Sequence, residues 1–188
     1  MENKKEKVKL VAKSLFSKKG YKKVSMDELA KVSQVTKRTI YSYFKDKDDL
    51  FRTFIEEELI AMKEIIEKIE ALDISFFDKV HMTIYQLLQY KKQSEFLNTI
   101  SLEAAQLKTD SVIHSIKVIN DNIQNYIKEK LTAAISHGYI KECDVDFTAF
   151  LIYKLYIAML FEWDNSKNLD EQQITDGITR ILKTGIFN

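Results

Sequence analysis

The stretch Thr36-Lys37-Arg38-Thr39-Ile40-Tyr41-Ser42-Tyr43-Phe44, followed closely by Lys47, concentrates side chains able to do chemistry. At helical spacing Ile40 and Phe44 share one face. Lys37, Arg38, Thr39, Tyr41 and Ser42 are then left outward. Such a set suits the major groove of DNA, where Arg and Lys pair with guanine O6 and N7 and Thr meets the thymine methyl group. Hydroxyls, Tyr43 and Lys47 can hold phosphates, as can the amide groups at helix starts. An ordinary solvated helix face has the same spacing, so spacing leaves both readings open.

Other chemistry lacks its residues. His81, His114 and His137 share no HExxH spacing, and the single Cys143 supports neither an internal disulfide nor a Cys-rich zinc site. No GxSxG elbow presents a nucleophile, and no GxGxxG or GxxxxGK[ST] cradles a phosphate. These features predict no enzyme, no metal and no cofactor. The charged start Met1-Glu2-Asn3-Lys4-Lys5 has no apolar run behind it, which argues against a secretion signal. The most apolar run, Ala149 to Phe161, is interrupted by Lys154 and falls short of the ~20 residues that span a bilayer. With one cysteine, the expectation is a cytoplasmic protein that avoids membranes.

The elements that must position residues 36–47 follow from composition. The chain has 188 residues, no Pro and only four Gly, which disfavours a many-stranded, turn-rich sheet and favours helices. The net charge of +1 hides an asymmetry. Residues 1–50 carry 14 Lys and Arg against 7 Asp and Glu; residues 51–188 carry 15 against 21. A basic module on an acidic body suggests one end that meets a polyanion, although a lysine-rich solvated surface has the same counts.

Val8, Val11, Ala12, Leu15 and Phe16 form one apolar helix face, and Gly20 stops that helix. Ser25-Met26-Asp27-Glu28 reads as a capping box for a second helix. Thr36 caps a third, and Asp46 with Asp49 caps a fourth. Three short helices before residue 50, the last two joined by a tight turn, describe a helix-turn-helix domain. Further helices are expected after Ser75, Ser94, Thr109 or Asp110, Asp144 and Asp170. The expected fold is all-α, with about nine helices. A DNA-binding domain would occupy 1–50, and a helical ligand-binding and dimerisation domain 51–188.

Residues 8–51 resemble the DNA-binding domain of the tetracycline-repressor (TetR/AcrR) family of bacterial transcription regulators. The likeness runs through Ala12, Leu15-Phe16, Gly20-Tyr21, Ser25-Met26, Leu29-Ala30, Val35-Thr36-Lys37, Ile40-Tyr41, Tyr43-Phe44, Lys47 and Leu50. It implies that Lys37, Arg38 and Tyr41 face bases, while Ser25, Thr39, Ser42, Tyr43 and Lys47 hold phosphates. The basic arm Lys4, Lys5, Lys7 and Lys9 would reach flanking DNA. Two positions depart from the family pattern. Gln34 stands where Gly is usual in the turn, which costs ~1–2 kcal/mol if the backbone there is left-handed. Arg38 replaces a residue that is commonly small, adding a long bidentate donor.

The helix from Phe147 to Phe161 is apolar nearly all round, and a small domain does not easily bury every face of such a helix. The last helix shows a complementary stripe. A partner is therefore expected, with the core of a monomer as the alternative. In the family these two helices form a four-helix interface, which implies a homodimer contact through Phe147, Phe150, Leu151, Ile157, Phe161, Ile174, Ile178 and Ile181.

The resemblance also implies a small-molecule effector in the C-terminal region. Phe76, Phe77, Met82, Tyr85, Tyr90, Phe96, Tyr126, Tyr153, Tyr156, Met159 and Trp163 supply apolar surface there. The candidate pocket is Tyr85, Phe96, Glu103, Gln106, Tyr126, Tyr153, Tyr156 and Trp163. A buried Glu103 would favour a cationic ligand; neutral and fatty ligands are equally open. The expected function is a sequence-specific, ligand-released repressor bound to a near-palindromic operator as a dimer. The alternative is a helical coactivator of the same fold that works through protein contacts without operator binding.

Overall fold

The computed structural model describes residues 4–158 and 169–185. These residues form nine helices, as expected for an all-α chain: α1 (Lys4–Lys19), α2 (Met26–Ser33), α3 (Lys37–Tyr43), α4 (Lys47–Glu70), α5 (Phe76–Gln93), α6 (Glu95–Leu107), α7 (Asp110–Ser136), α8 (Val145–Ile157) and α9 (Glu171–Gly185).

Local capping chemistry sets most of the starts. Ser25, Thr36, Ser94 and Asp144 each accept a hydrogen bond from the amide three residues on. Each satisfies a helix-start N–H that has no intrahelical partner. Asp46 accepts from the Asp49 amide at 2.8 Å, while Asp49 accepts from the Lys45 amide at 3.0 Å. Asp170 and Gln173 make a full reciprocal box, at 2.8 and 3.0 Å. At α2 the box is different: the Glu28 carboxylate pairs with Lys19 of the preceding helix.

The chain divides into two compact units, Met1–Ala61 with Lys91–Ile119, and Met62–Tyr90 with Asn120–Asn188. The units differ from the stretches 1–50 and 51–188 because α6 packs with the first helices. In the first unit Phe16 lies edge-on to Phe51 and Phe54, at 5.6 and 6.0 Å between ring centres. Phe96 of α6 meets the same two rings at 5.6 and 6.0 Å. All four rings are buried. Aromatic side chains of this size carry the largest burial gains, ~1.5–3 kcal/mol each.

The second unit has its own core of Leu131, Ala134, Ile140, Ala149, Ile178 and Leu182. Phe76, Ile84, Ile127 and Ile174 pack against it. Among the described residues, no helix is long and apolar enough to cross a membrane.

Candidate functional site

The turn between α2 and α3 is built by three residues. Ser33 is buried and donates to the Leu29 carbonyl at 2.6 Å. Gln34 then takes a left-handed conformation, φ 55° and ψ 33°. Val35 is buried, and its amide returns to the Ala30 carbonyl at 3.2 Å. Thr36 follows at once as the cap of α3. The backbone at Gln34 is thus the left-handed one in which a Cβ costs energy.

Ile40 and Phe44 are buried beneath α3. Lys37, Arg38, Tyr41, Ser42 and Tyr43 are exposed, and Thr39 is half-buried. Of the side chains expected to face outward, all but Thr39 are therefore exposed. Lys37 does not stand alone: its ammonium binds both carboxylate oxygens of Asp27 on α2, at 2.9 and 3.0 Å. Thr39 shares a hydroxyl contact with Thr36, and Ser42 donates to the Thr39 carbonyl at 2.7 Å. Ser25 caps α2 through its side-chain oxygen.

Lys47 is placed differently from a simple phosphate anchor. It is half-buried, and its ammonium donates to the carbonyls of Tyr21 and Val24, both at 2.8 Å. Burial lowers its pKa, opposed by the nearby Glu103 and Asp48 carboxylates. Two of its three N–H groups thus hold the α1–α2 turn. The basic arm is helical from Lys4. Within it Lys9 pairs with Glu57 at 2.6 Å, and Lys5 stands 5.7 Å over the Phe44 ring.

The second unit contains a cavity of about 340 Å³. Phe76, Val80, Ile84 and Leu87 of α5 line one side, and Ile123, Ile127 and Leu131 of α7 line another. At its polar part Glu70 accepts from Lys130 at 2.8 Å and from the Tyr126 hydroxyl at 3.3 Å. Burial, then the Glu70 charge, raises the Tyr126 pKa above the ordinary phenol range, so the hydroxyl stays a donor. Lys79 donates to the Glu70 carbonyl at 2.8 Å.

Of the pocket set expected from sequence, Tyr126 lines this cavity. Phe96 and Glu103 are corrected: both are buried in the first unit, Phe96 in the aromatic core and Glu103 against the α1–α2 turn. The cationic-ligand reading loses its carboxylate with Glu103. Gln106 is exposed. Tyr85 is half-buried beside Gln89, and Tyr153 is buried, both outside the cavity lining. The Tyr156 side chain and Trp163 lie outside the described residues. The missed lining is mostly aliphatic. Phe76 is among the aromatics expected to supply apolar surface; the aliphatic lining residues recur at helical spacing, at 80, 84 and 87 on α5 and at 123, 127 and 131 on α7.

The interface set also divides. Phe147, Phe150, Leu151 and Ile181 are 60, 44, 43 and 58% exposed. Ile178 is corrected, since it is buried in the core of its own unit; Ile174 is half-buried and packs against that core. With Leu182 they repeat every four residues and form the inward stripe of α9. The Ile157 side chain and Phe161 lie outside the described residues.

Comparison with known proteins bears on this geometry. Residues 10–53 match the family described as bacterial regulatory proteins, tetR family. Over 160 residues the chain is 35% identical to the HTH-type transcriptional regulator YhgD of Bacillus subtilis (strain 168), covering 85% of this chain and 84% of that protein. A TetR-family transcriptional regulator from Syntrophomonas wolfei shares the fold, with TM-score 0.80, 20% identity and coverage of 96% and 93% of the two chains. So does the transcriptional regulator FadR from Bacillus subtilis, solved in complex with stearoyl-CoA, with TM-score 0.78, 21% identity and coverage of 96% and 98%. Identity of 35% across most of both sequences reaches beyond shared fold: the chain belongs to the tetR family of bacterial regulatory proteins and is a DNA-binding transcription regulator, not an enzyme.

Proposed function

We propose that this regulator is a repressor that binds a near-palindromic operator as a homodimer and is released by an amphiphilic small-molecule effector. Residues 1–50 carry the DNA contacts, and residues 51–188 carry the effector and dimer contacts. The observation that carries the reading is α3: Ile40 and Phe44 hold its inner face while Lys37, Arg38, Tyr41, Ser42 and Tyr43 stay accessible. Lys37, Arg38 and Tyr41 face bases. Ser25, Thr39, Ser42 and Tyr43, with the third N–H of Lys47, hold phosphates. A two-fold dimer presents two such helices ~34–36 Å apart, one turn of DNA.

Support for the dimer comes from α8, where Phe147, Phe150 and Leu151 expose apolar surface that a soluble monomer seldom leaves bare. Support for the effector class comes from the cavity, whose walls are aliphatic and whose polar part holds Lys79, Lys130, Glu70 and Tyr126. That chemistry fits an amphiphile with an apolar body and a polar or anionic head. The similar FadR of Bacillus subtilis was solved with stearoyl-CoA, a molecule of this kind. Such an effector must favour the state that fits DNA poorly, because equal affinity for both states shifts nothing.

Selection and sequencing of genomic fragments bound at near-physiological salt tests the reading. Enrichment of one near-palindrome, lost on adding long-chain acyl-CoA but not coenzyme A alone, is the expected result. Binding without sequence enrichment would overturn the operator; enrichment insensitive to acyl compounds would overturn the effector class.

A further inference from the structure

We infer that Glu103 is a positioning residue for DNA binding, its carboxylate fixing the turn between α1 and α2 from which the helix-turn-helix is hung. Glu103 is only 5% exposed, and a carboxylate is seldom buried without partners. Its Oε1 accepts from the Lys22 amide at 3.0 Å. Its Oε2 rests against Gly20, so closely that a Cβ at that position would overlap it. Gly20 also has φ +80°, so glycine is required there twice over. One helical turn earlier on α6, Thr99 donates to the Ser17 carbonyl at the end of α1 at 2.5 Å.

The same turn is gripped from its other side. Lys47 of α4 takes the carbonyls of Tyr21 and Val24, while Glu103 takes the amide of Lys22 between them. Each charge meets the peptide pole of opposite sign, and charge-assisted bonds of this type are about twice as strong as neutral ones. The gripped turn ends one residue before Ser25, the cap of α2. Its position thus sets where α2 begins and, through the tight turn at Gln34, where α3 lies. Glu103 touches neither the accessible face of α3 nor the cavity of the second unit; its contacts are backbone groups whose geometry the DNA-reading helix inherits.

The inference rests on α3 as the DNA-reading helix, and one of its readouts is independent of DNA. The parent, Glu103→Ala, Glu103→Gln and Gly20→Ala would be compared by amide hydrogen exchange across residues 20–26. Affinity would be measured for a mixed-sequence DNA duplex at low salt. In Glu103→Ala the Lys22 amide should exchange at least about tenfold faster and DNA affinity fall by about tenfold, the worth of one charge-assisted bond. Glu103→Gln keeps an acceptor for that amide and should recover most of both losses. Gly20→Ala should mimic Glu103→Ala by displacing the carboxylate, which keeps the test valid if the alanine variant at 103 folds poorly. In the double variant the two losses should be far from additive. Unchanged exchange at Lys22 in Glu103→Ala, or faster exchange with parental DNA affinity, would overturn the role. A parent that bound no DNA would instead count against α3 as the reading helix, with the exchange result still deciding the contact.

Discussion

The Lys47 ammonium lies 3.9 Å from the centre of the Tyr21 ring and donates to the Tyr21 carbonyl at 2.8 Å. One side chain thus binds another residue's backbone and its aromatic face together. Lys47→Ala removes the donor to two partly buried carbonyls and should cost ~1–3 kcal/mol of folding stability, read by urea unfolding. On DNA, loss of one phosphate contact should lower the slope of log affinity against log salt by about one. A lower slope with unchanged stability would contradict the structural part of this assignment.

Tyr21 also donates its hydroxyl to Asp48. That bond, more than the neighbouring charges, holds the Asp48 carboxyl below the ordinary carboxylate range. A depressed folded-state pKa means that the contribution is present above the unfolded value, about 4, and fades as pH falls through and below it. The stability difference between the parent and Tyr21→Phe should therefore be constant above about pH 5 and shrink toward pH 3. Denaturant titrations across that range check it, and a difference that grows on acidification would reverse the sign.

Arg38 is exposed on α3 and has no ion-pair partner among the described residues. Arg38→Ala should cost ~1–3 kcal/mol on the selected operator and relax preference at one base pair. Equal loss on every sequence would show a phosphate contact in place of base reading.

Gln34 has φ 55° at an exposed position. Gln34→Gly relieves a left-handed Cβ worth ~1–2 kcal/mol and gives part of it back as unfolded-chain entropy. A net gain of up to about 1 kcal/mol is expected, seen as a higher midpoint in thermal unfolding. A loss of stability would mean that the Gln34 side chain supplies more than the backbone costs.

Phe147 and Leu151 are one helical turn apart on α8, 60 and 43% exposed. Phe147→Lys with Leu151→Lys should leave the circular dichroism of the single chain intact and halve the mass seen by sedimentation equilibrium. An unchanged mass would place the dimer contact elsewhere.

The helix starts, the left-handed candidate at Gln34 and the division of α3 into an inner and an outer face were all legible in the sequence. Each depends on groups within four residues of one another. Ser25, Thr36, Asp46 and Asp170 act on amides three positions away, and Ile40 meets Phe44 across one turn. Backbone periodicity alone places such groups.

Contacts between distant residues were decided by tertiary packing. Glu103 and Lys22 are 81 positions apart, and no local rule joins them. Glu103 could equally have faced a ligand until α6 was packed on α1. The apolar stripe of α9 was readable as a stripe, but not as one facing its own core through Ile174 and Ile178. The cavity arises where aliphatic stripes of α5 and α7 face each other without filling the space between them. Sequence periodicity identifies which face of a helix is apolar; only the packed fold decides what that face meets, because burial depends on the shapes of segments far apart in the chain.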